Sequence, residues 1–116
     1  MTRAVFRPLL LVGAGPAGLA AAATLNARHC PFDWVEADSE AGGTLRRVGN
    51  PLLDLPGETE TTGMALAARY RDELERSAST GVTPRWHTHV TSLTPTGGGW
   101  LAQFGDGQIA AFAAVI

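Results

Sequence analysis

One stretch constrains this chain more than any other. Gly13-Ala14-Gly15-Pro16-Ala17-Gly18, a GxGxxG pattern, stands between a short apolar run (residues 8–12) and a segment dominated by Ala and Leu (residues 17–28). An apolar run that stops at glycine reads as a strand buried on both faces of a parallel sheet. The Ala/Leu segment has strong helix propensity, and Pro16 suits the first helical position, where its missing N–H would have no partner anyway. The order is therefore strand, tight turn, helix. Gly13 permits the turn, Gly15 keeps a Cβ away from an approaching pyrophosphate, and Gly18 lets the helix pack closely on the strand. Ala14, Pro16 and Ala17 fall within the same candidate cradle, and the helix starts with free N–H groups and a partial positive charge aimed at phosphates.

Pro31 opens Phe32-Asp33-Trp34-Val35-Glu36, a second strand of aromatic and β-branched residues in which Trp34 reads as core. The unit is β-α-β in about 30 residues, the length such a crossover needs. Glu36 follows Gly18 by eighteen positions and ends the second strand. A carboxylate there accepts both hydroxyls of an adenosine ribose and repels a 2′-phosphate, so the site favours FAD or NAD over NADP.

Beyond Asp38 the pattern is irregular up to Gly63, with Gly42-Gly43, Gly49-Asn50-Pro51 and Pro56-Gly57 as turn signals. Helical periodicity returns over residues 62–78, where Met64, Ala67, Tyr70 and Leu74 recur at steps of three and four, and Gly81 is placed to cap it. Residues 84–93 read as a strand. Residues 100–112, folded about Gly105-Asp106-Gly107, read as an antiparallel hairpin, and residues 113–116 begin a further apolar strand. The expected fold is α/β, a Rossmann-type, mostly parallel sheet with an antiparallel β-hairpin as a crossover, truncated at its C-terminal end.

Composition narrows the function. The 116 residues allow one domain, and nine basic residues, all arginine and scattered, stand against eleven acidic ones. A nucleic-acid binder would cluster its cations, so nucleic acid is not expected as a partner. The single cysteine, Cys30, excludes an internal disulfide, a CxxC pair and a multi-cysteine zinc site. It fits a reducing, cytoplasmic compartment and reads as a small buried hydrophobe. The uncharged stretch of residues 8–27, behind Arg3 and Arg7, resembles a secretory signal, but Gly13, Gly15, Pro16 and Gly18 interrupt it. The same residues argue against a membrane span, which needs about 20 helix-compatible apolar residues. His87 and His89 would share one face of a strand, yet no third ligand accompanies them and no metal is expected. No catalytic side chain is assigned, and Arg46 and Arg47 are either phosphate contacts or solvated.

Gly13-Ala14-Gly15-Pro16-Ala17-Gly18-Leu19, then Val35-Glu36-Ala37, then Glu40-Ala41-Gly42-Gly43-Thr44-Leu45, resemble the FAD domain of the two-dinucleotide-domain flavoproteins. Thioredoxin-reductase-like enzymes and flavin-containing monooxygenases are nearest in pattern. The resemblance covers essentially the whole chain, although its specific motifs lie within residues 9–57. It implies FAD as cofactor, held by the fingerprint with Glu36 and Ala37, and with Gly43, Thr44 and Leu45 on the flavin side. It also implies Asp54, in Leu53-Asp54-Leu55-Pro56-Gly57, near the isoalloxazine ring, and His89 and Val90 at the adenine. The activity it implies is that of an NAD(P)H-dependent flavoprotein oxidoreductase: hydride passes from a nicotinamide bound outside this chain to the flavin, then electrons pass to a disulfide, oxygen or a small organic acceptor.

The departures also inform. Leu45-Arg46-Arg47 stands where enzymes of the glutathione-reductase type carry a redox cysteine pair, which excludes that subtype. The Ala-Thr-Gly turn and the nicotinamide domain of the family are not in the sequence. Residues 1–116 are thus expected to be an FAD-binding domain, incomplete at its C-terminus, whose nicotinamide domain lies elsewhere or on a partner chain; a homodimer is compatible with this. Two alternatives stay open. One is an NAD-binding dehydrogenase domain, which gives no reason for Gly42-Gly43 or Pro56-Gly57. The other is a non-catalytic adenine-dinucleotide-binding module or split-enzyme subunit.

Overall fold

In the computed structural model, which describes residues 6–43, 62–77 and 81–116, strand β1 spans Arg7–Val12. Successive side chains of a strand face opposite ways, so adjacent buried leucines demand a core on each side. Both cores are present. Leu11 joins Ala14, Leu19, Ala22, Phe32, Trp34 and Ala41 on one face, while Leu10 joins Val35, Ala102, Phe104 and Phe112 on the other.

Helix α1 (Pro16–Ala27) follows at once, with Gly15 as N-cap and Pro16 in its first turn, and it buries Gly18, Leu19 and Ala22. It ends where His29 adopts φ +55°, with the Cys30 N–H donating to the Leu25 carbonyl. That left-handed residue swings the chain out of the buried stripe, so Cys30 is exposed rather than buried as its composition suggested. Strand β2 (Asp33–Val35) then pairs parallel with β1, Leu11 opposite Trp34. At the solvent edge the Arg7 guanidinium grips Asp33 through two hydrogen bonds, whose hydrogen bonding and charge raise the Arg7 pKa. Exposed pairs of this kind add little stability.

Helix α2 (Gly63–Ser77) is capped by Thr62, whose Oγ1 accepts the Ala65 N–H at 3.1 Å. Leu66 and Ala67 are buried and Tyr70 and Leu74 pack against the core on the α1 side. Met64, expected on this face, is 55% exposed. It lies about 100° around the helix from the centre of the stripe, given 3.6 residues per turn. Gly81, expected as a cap, lies against Asn26 of α1, whose Oδ1 accepts the Val82 N–H at 3.3 Å.

Strands β3 (Val90–Thr96), β4 (Gly99–Phe104) and β5 (Ile109–Val115) form an antiparallel meander. The second turn is closed by the Gln108 N–H on Asp106 Oδ1 at 2.9 Å and by Gly107 at φ +88°. The five strands make one sheet in the order β2-β1-β5-β4-β3, with β2, β1 and β5 parallel. This is the expected α/β architecture, its antiparallel hairpin extended to three strands.

Two strand boundaries differ from expectation. The strand read over residues 84–93 begins only at Val90; ahead of it Arg85 makes a lone parallel bridge to Val35, and His87 at φ +51° ends that contact. The histidines at 87 and 89 therefore precede β3 and do not share a face of it. Residues 108–112 and 113–116 are likewise not two strands. β5 pairs antiparallel with β4 up to Phe112 and parallel with β1 from Phe112 onward, so the change in apolar pattern marks a change of neighbour. Among the described residues no helix is long and apolar enough to cross a membrane.

Candidate functional site

The glycine-rich turn sits at the carboxyl ends of β1 and β2, where ligands bind in open α/β sheets. Gly13 takes φ +99°, a conformation that side chains resist. Its N–H donates to the Val35 carbonyl at 2.8 Å, and its carbonyl accepts the Trp34 indole N–H at 2.8 Å. The Ala14 N–H donates to Glu36 Oε1 at 2.8 Å, and the Ala14 carbonyl accepts the Gly42 N–H at 2.8 Å. All four main-chain polar groups of Gly13 and Ala14 are thus held by the protein. At Gly18 a Cβ would stand 2.1 Å from the Gly13 oxygen, which is why α1 can lie this close to the turn only with glycine there.

Gly15 is the opposite case. Its φ of −75° and ψ of −171° suit any residue, and no described atom lies within 4 Å of where its Cβ would be. None of the described residues calls for glycine here. α1 starts here with no side-chain cap and with Pro16 in its first turn. The early N–H groups of the helix, those of Ala17 and Gly18 among them, have no intrahelical acceptor by geometry. An open cradle at a positive helix end suits a pyrophosphate.

Glu36 stands beside this cradle. Its Oε1 accepts the Ala14 N–H and its Oε2 the Asp38 N–H at 2.6 Å. An ionised carboxylate offers about four acceptor sites, so capacity for two ribose hydroxyls remains. The main chain of Glu36 is held from the other side: its N–H donates to the Arg85 carbonyl at 3.0 Å and its carbonyl accepts the Thr88 N–H at 2.8 Å. Residues 85–88 thereby run along the outer edge of β2. Ala37 is exposed next to this contact. His89 follows, exposed, its ring filling the space a Gly105 Cβ would need and its carbonyl accepting the Gly105 N–H. The Val90 side chain packs into the core formed by Leu10, Val35 and Phe104.

Gly43, at φ +54°, has its would-be Cβ 3.4 Å from the Gly15 Cα, so the Gly42-Gly43 pair lies against the fingerprint. Thr44, Leu45 and Asp54, together with Arg46, Arg47 and the Pro56-Gly57 turn, lie outside the described residues. Among the described residues no group of three His, Cys, Asp or Glu could hold a metal. Sequence reasoning missed the hydrogen bond of Trp34. The signal was available, since a buried indole N–H usually needs a partner. It also missed the Arg85–Thr88 contact with Glu36, which no local pattern announces.

A family model described as "NAD(P)-binding Rossmann-like domain" matches residues 11–78, more than half of the chain and all of the β-α-β unit. The chain belongs to this family. Comparison with curated proteins gives no match. Among solved structures, this Rossmann-like domain is similar to thioredoxin reductase from T. acidophilum, with 25% identity and a TM-score of 0.70 over 92% of the chain and 33% of that protein. Thioredoxin reductase from Lactococcus lactis gives 20% identity and 0.74, over 93% and 33%. A flavin monooxygenase from Stenotrophomonas maltophilia gives 17% and 0.73, over 93% and 36%. The chain spans about a third of the length of each. The β-α-β unit and the meander of this chain thus share their fold with part of two thioredoxin reductases and of a flavin monooxygenase.

Proposed function

We propose that this chain is the FAD-binding portion of an NAD(P)H-dependent flavoprotein oxidoreductase. The observation that carries the reading is Gly15: a glycine that no described residue requires, at a helix end without a side-chain cap, with Glu36 beside it. A dinucleotide accounts for all of these at once. FAD rather than NAD is supported by Gly42-Gly43, which is bonded into the fingerprint through the Ala14 carbonyl, and by the fold shared with a flavin monooxygenase.

Bound FAD supplies the hydride and electron transfer, and the residues of this chain bind and orient it. The first turn of α1 faces the pyrophosphate, and Gly15 leaves it room. Glu36 accepts from the ribose hydroxyls and excludes a 2′-phosphate. Gly43, Thr44, Leu45 and Asp54 belong on the flavin side, and His89 and Val90, through its main chain, at the adenine. The nicotinamide donor binds outside this segment, in a further domain or a partner chain, and the acceptor is a disulfide, oxygen or a small organic molecule. The description of the family favours one second reading, an NAD-binding domain.

Titration of the chain with FAD, followed by flavin fluorescence and visible absorption with NAD in parallel, tests this. Saturable FAD binding is expected. NAD binding without FAD binding selects the second reading, and binding of neither by a folded chain rejects both. Glu36→Ala is expected to weaken FAD binding by about 1–3 kcal/mol, the scale of a lost charged hydrogen-bonding group. An unaltered titration would remove Glu36 from the ribose site.

A further inference from the structure

Trp34 and Glu36 stand two apart at the end of β2, and residues two apart on a strand share a face. Their side chains reach the same peptide unit. The Trp34 Nε1–H donates to the Gly13 carbonyl, and Glu36 accepts the Ala14 N–H. These are the two polar ends of the Gly13–Ala14 peptide plane; the next plane, Ala14–Gly15, is held at its carbonyl by the Gly42 N–H. We propose that Trp34 is a positioning residue for the dinucleotide: its indole N–H fixes the rotation of the Gly13–Ala14 plane, and with it the direction in which Gly15 and the start of α1 present their N–H groups.

The proposal rests on the dinucleotide reading, and three observations support it. Trp34 is 2% exposed, so no water can replace its hydrogen bond without rearrangement. The ring is itself held, by β1 through the Leu11–Trp34 register and by Phe32, whose ring centroid is 6.2 Å away at 48°. The Gly13 oxygen also lies where a Gly18 Cβ would collide with it, so it sits between the indole and the helix, and any rotation of the plane changes its contact with α1. Glu36 holds only the N–H end of the plane, and the indole holds the carbonyl end. The indole contact asks nothing of the ligand and persists with or without it.

The decisive comparison replaces Trp34 by benzothienylalanine, which keeps the shape of the indole and exchanges its N–H for sulfur, with Trp34→Phe as a second variant. FAD affinity is measured at a temperature where circular dichroism shows each variant folded, and the 15N amide resonances are recorded without ligand. About tenfold weaker FAD binding is expected, the effect of one unmade hydrogen bond. The Ala14, Gly15 and Ala17 resonances should move while those of β3 and β4 stay in place. A variant that melts earlier yet binds FAD as tightly, with those resonances unmoved, would reduce Trp34 to a packing residue and overturn the proposal. If the unsubstituted chain binds no dinucleotide, the functional reading fails by itself, and the resonances alone still decide whether the indole orients the turn.

Discussion

Gly15→Val is expected to abolish FAD binding and to leave the fold standing. The backbone at Gly15 is extended and open to β-branched residues, and a Cβ there meets no described atom. The cost to the free protein is confined to a poorer N-cap, about 1 kcal/mol. The isopropyl group would instead occupy the space between the helix end and an incoming pyrophosphate. A loss of at least 100-fold in affinity, about 3 kcal/mol, is expected in the flavin titration. Circular dichroism should be unchanged. Unaltered affinity would sink the dinucleotide assignment.

Gly18→Ala should do the reverse, damaging the fold first. Its Cβ would sit 2.1 Å from a main-chain oxygen that Trp34 and the turn hold in place, so α1 must move away from β1 or the turn must open. Overpacking of this sort costs about 1–3 kcal/mol, and more where backbone is the obstacle. With about 3 kcal/mol lost, the melting temperature should fall on the order of 10–20 °C. A variant melting within 2 °C of the parent, roughly the effect of a neutral surface change, would show that the helix has slack that the geometry denies. Together the two substitutions test whether Gly15 serves the proposed ligand while Gly18 serves the packing of the chain.

That separation was half legible in the sequence. The spacing of Gly13, Gly15 and Gly18 between an apolar run and an Ala-rich helix identified strand, turn and helix, because these are local rules of propensity and steric freedom. Glu36 followed from its distance along the chain. The double engagement of its carboxylate was not legible, because the Ala14 N–H reaches one oxygen only once β1 and β2 are side by side, while the nearby Asp38 N–H takes the other. Trp34 was placed in the core correctly, but its hydrogen bond depends on the parallel register that sets it opposite Leu11. The late start of β3 has a similar cause: residues 85–88 have the composition of a strand, but the edge of β2 and the left-handed His87 claim them first. Cys30 was misjudged because cysteine is usually buried, whereas here the turn at His29 decides its exposure.

The change of partner within β5 carries a consequence for how the molecule assembles. The β1-α1-β2 unit and the β3-β4-β5 meander each close over short stretches of chain, whereas the seam that joins them sets Leu9 beside Ala114. Closing a loop of about 100 residues costs entropy that only the finished pairing returns, so this parallel seam should zip last. Pulse-labelled hydrogen exchange should show β3 and β4 amides protected before the Ile116 N–H, which donates to the Leu10 carbonyl across the seam. Simultaneous protection would rule this order out. Until the zip closes, each half offers an unpaired strand edge to other chains, so aggregation during refolding should respond more to substitutions facing this seam than to changes at the glycine-rich turn.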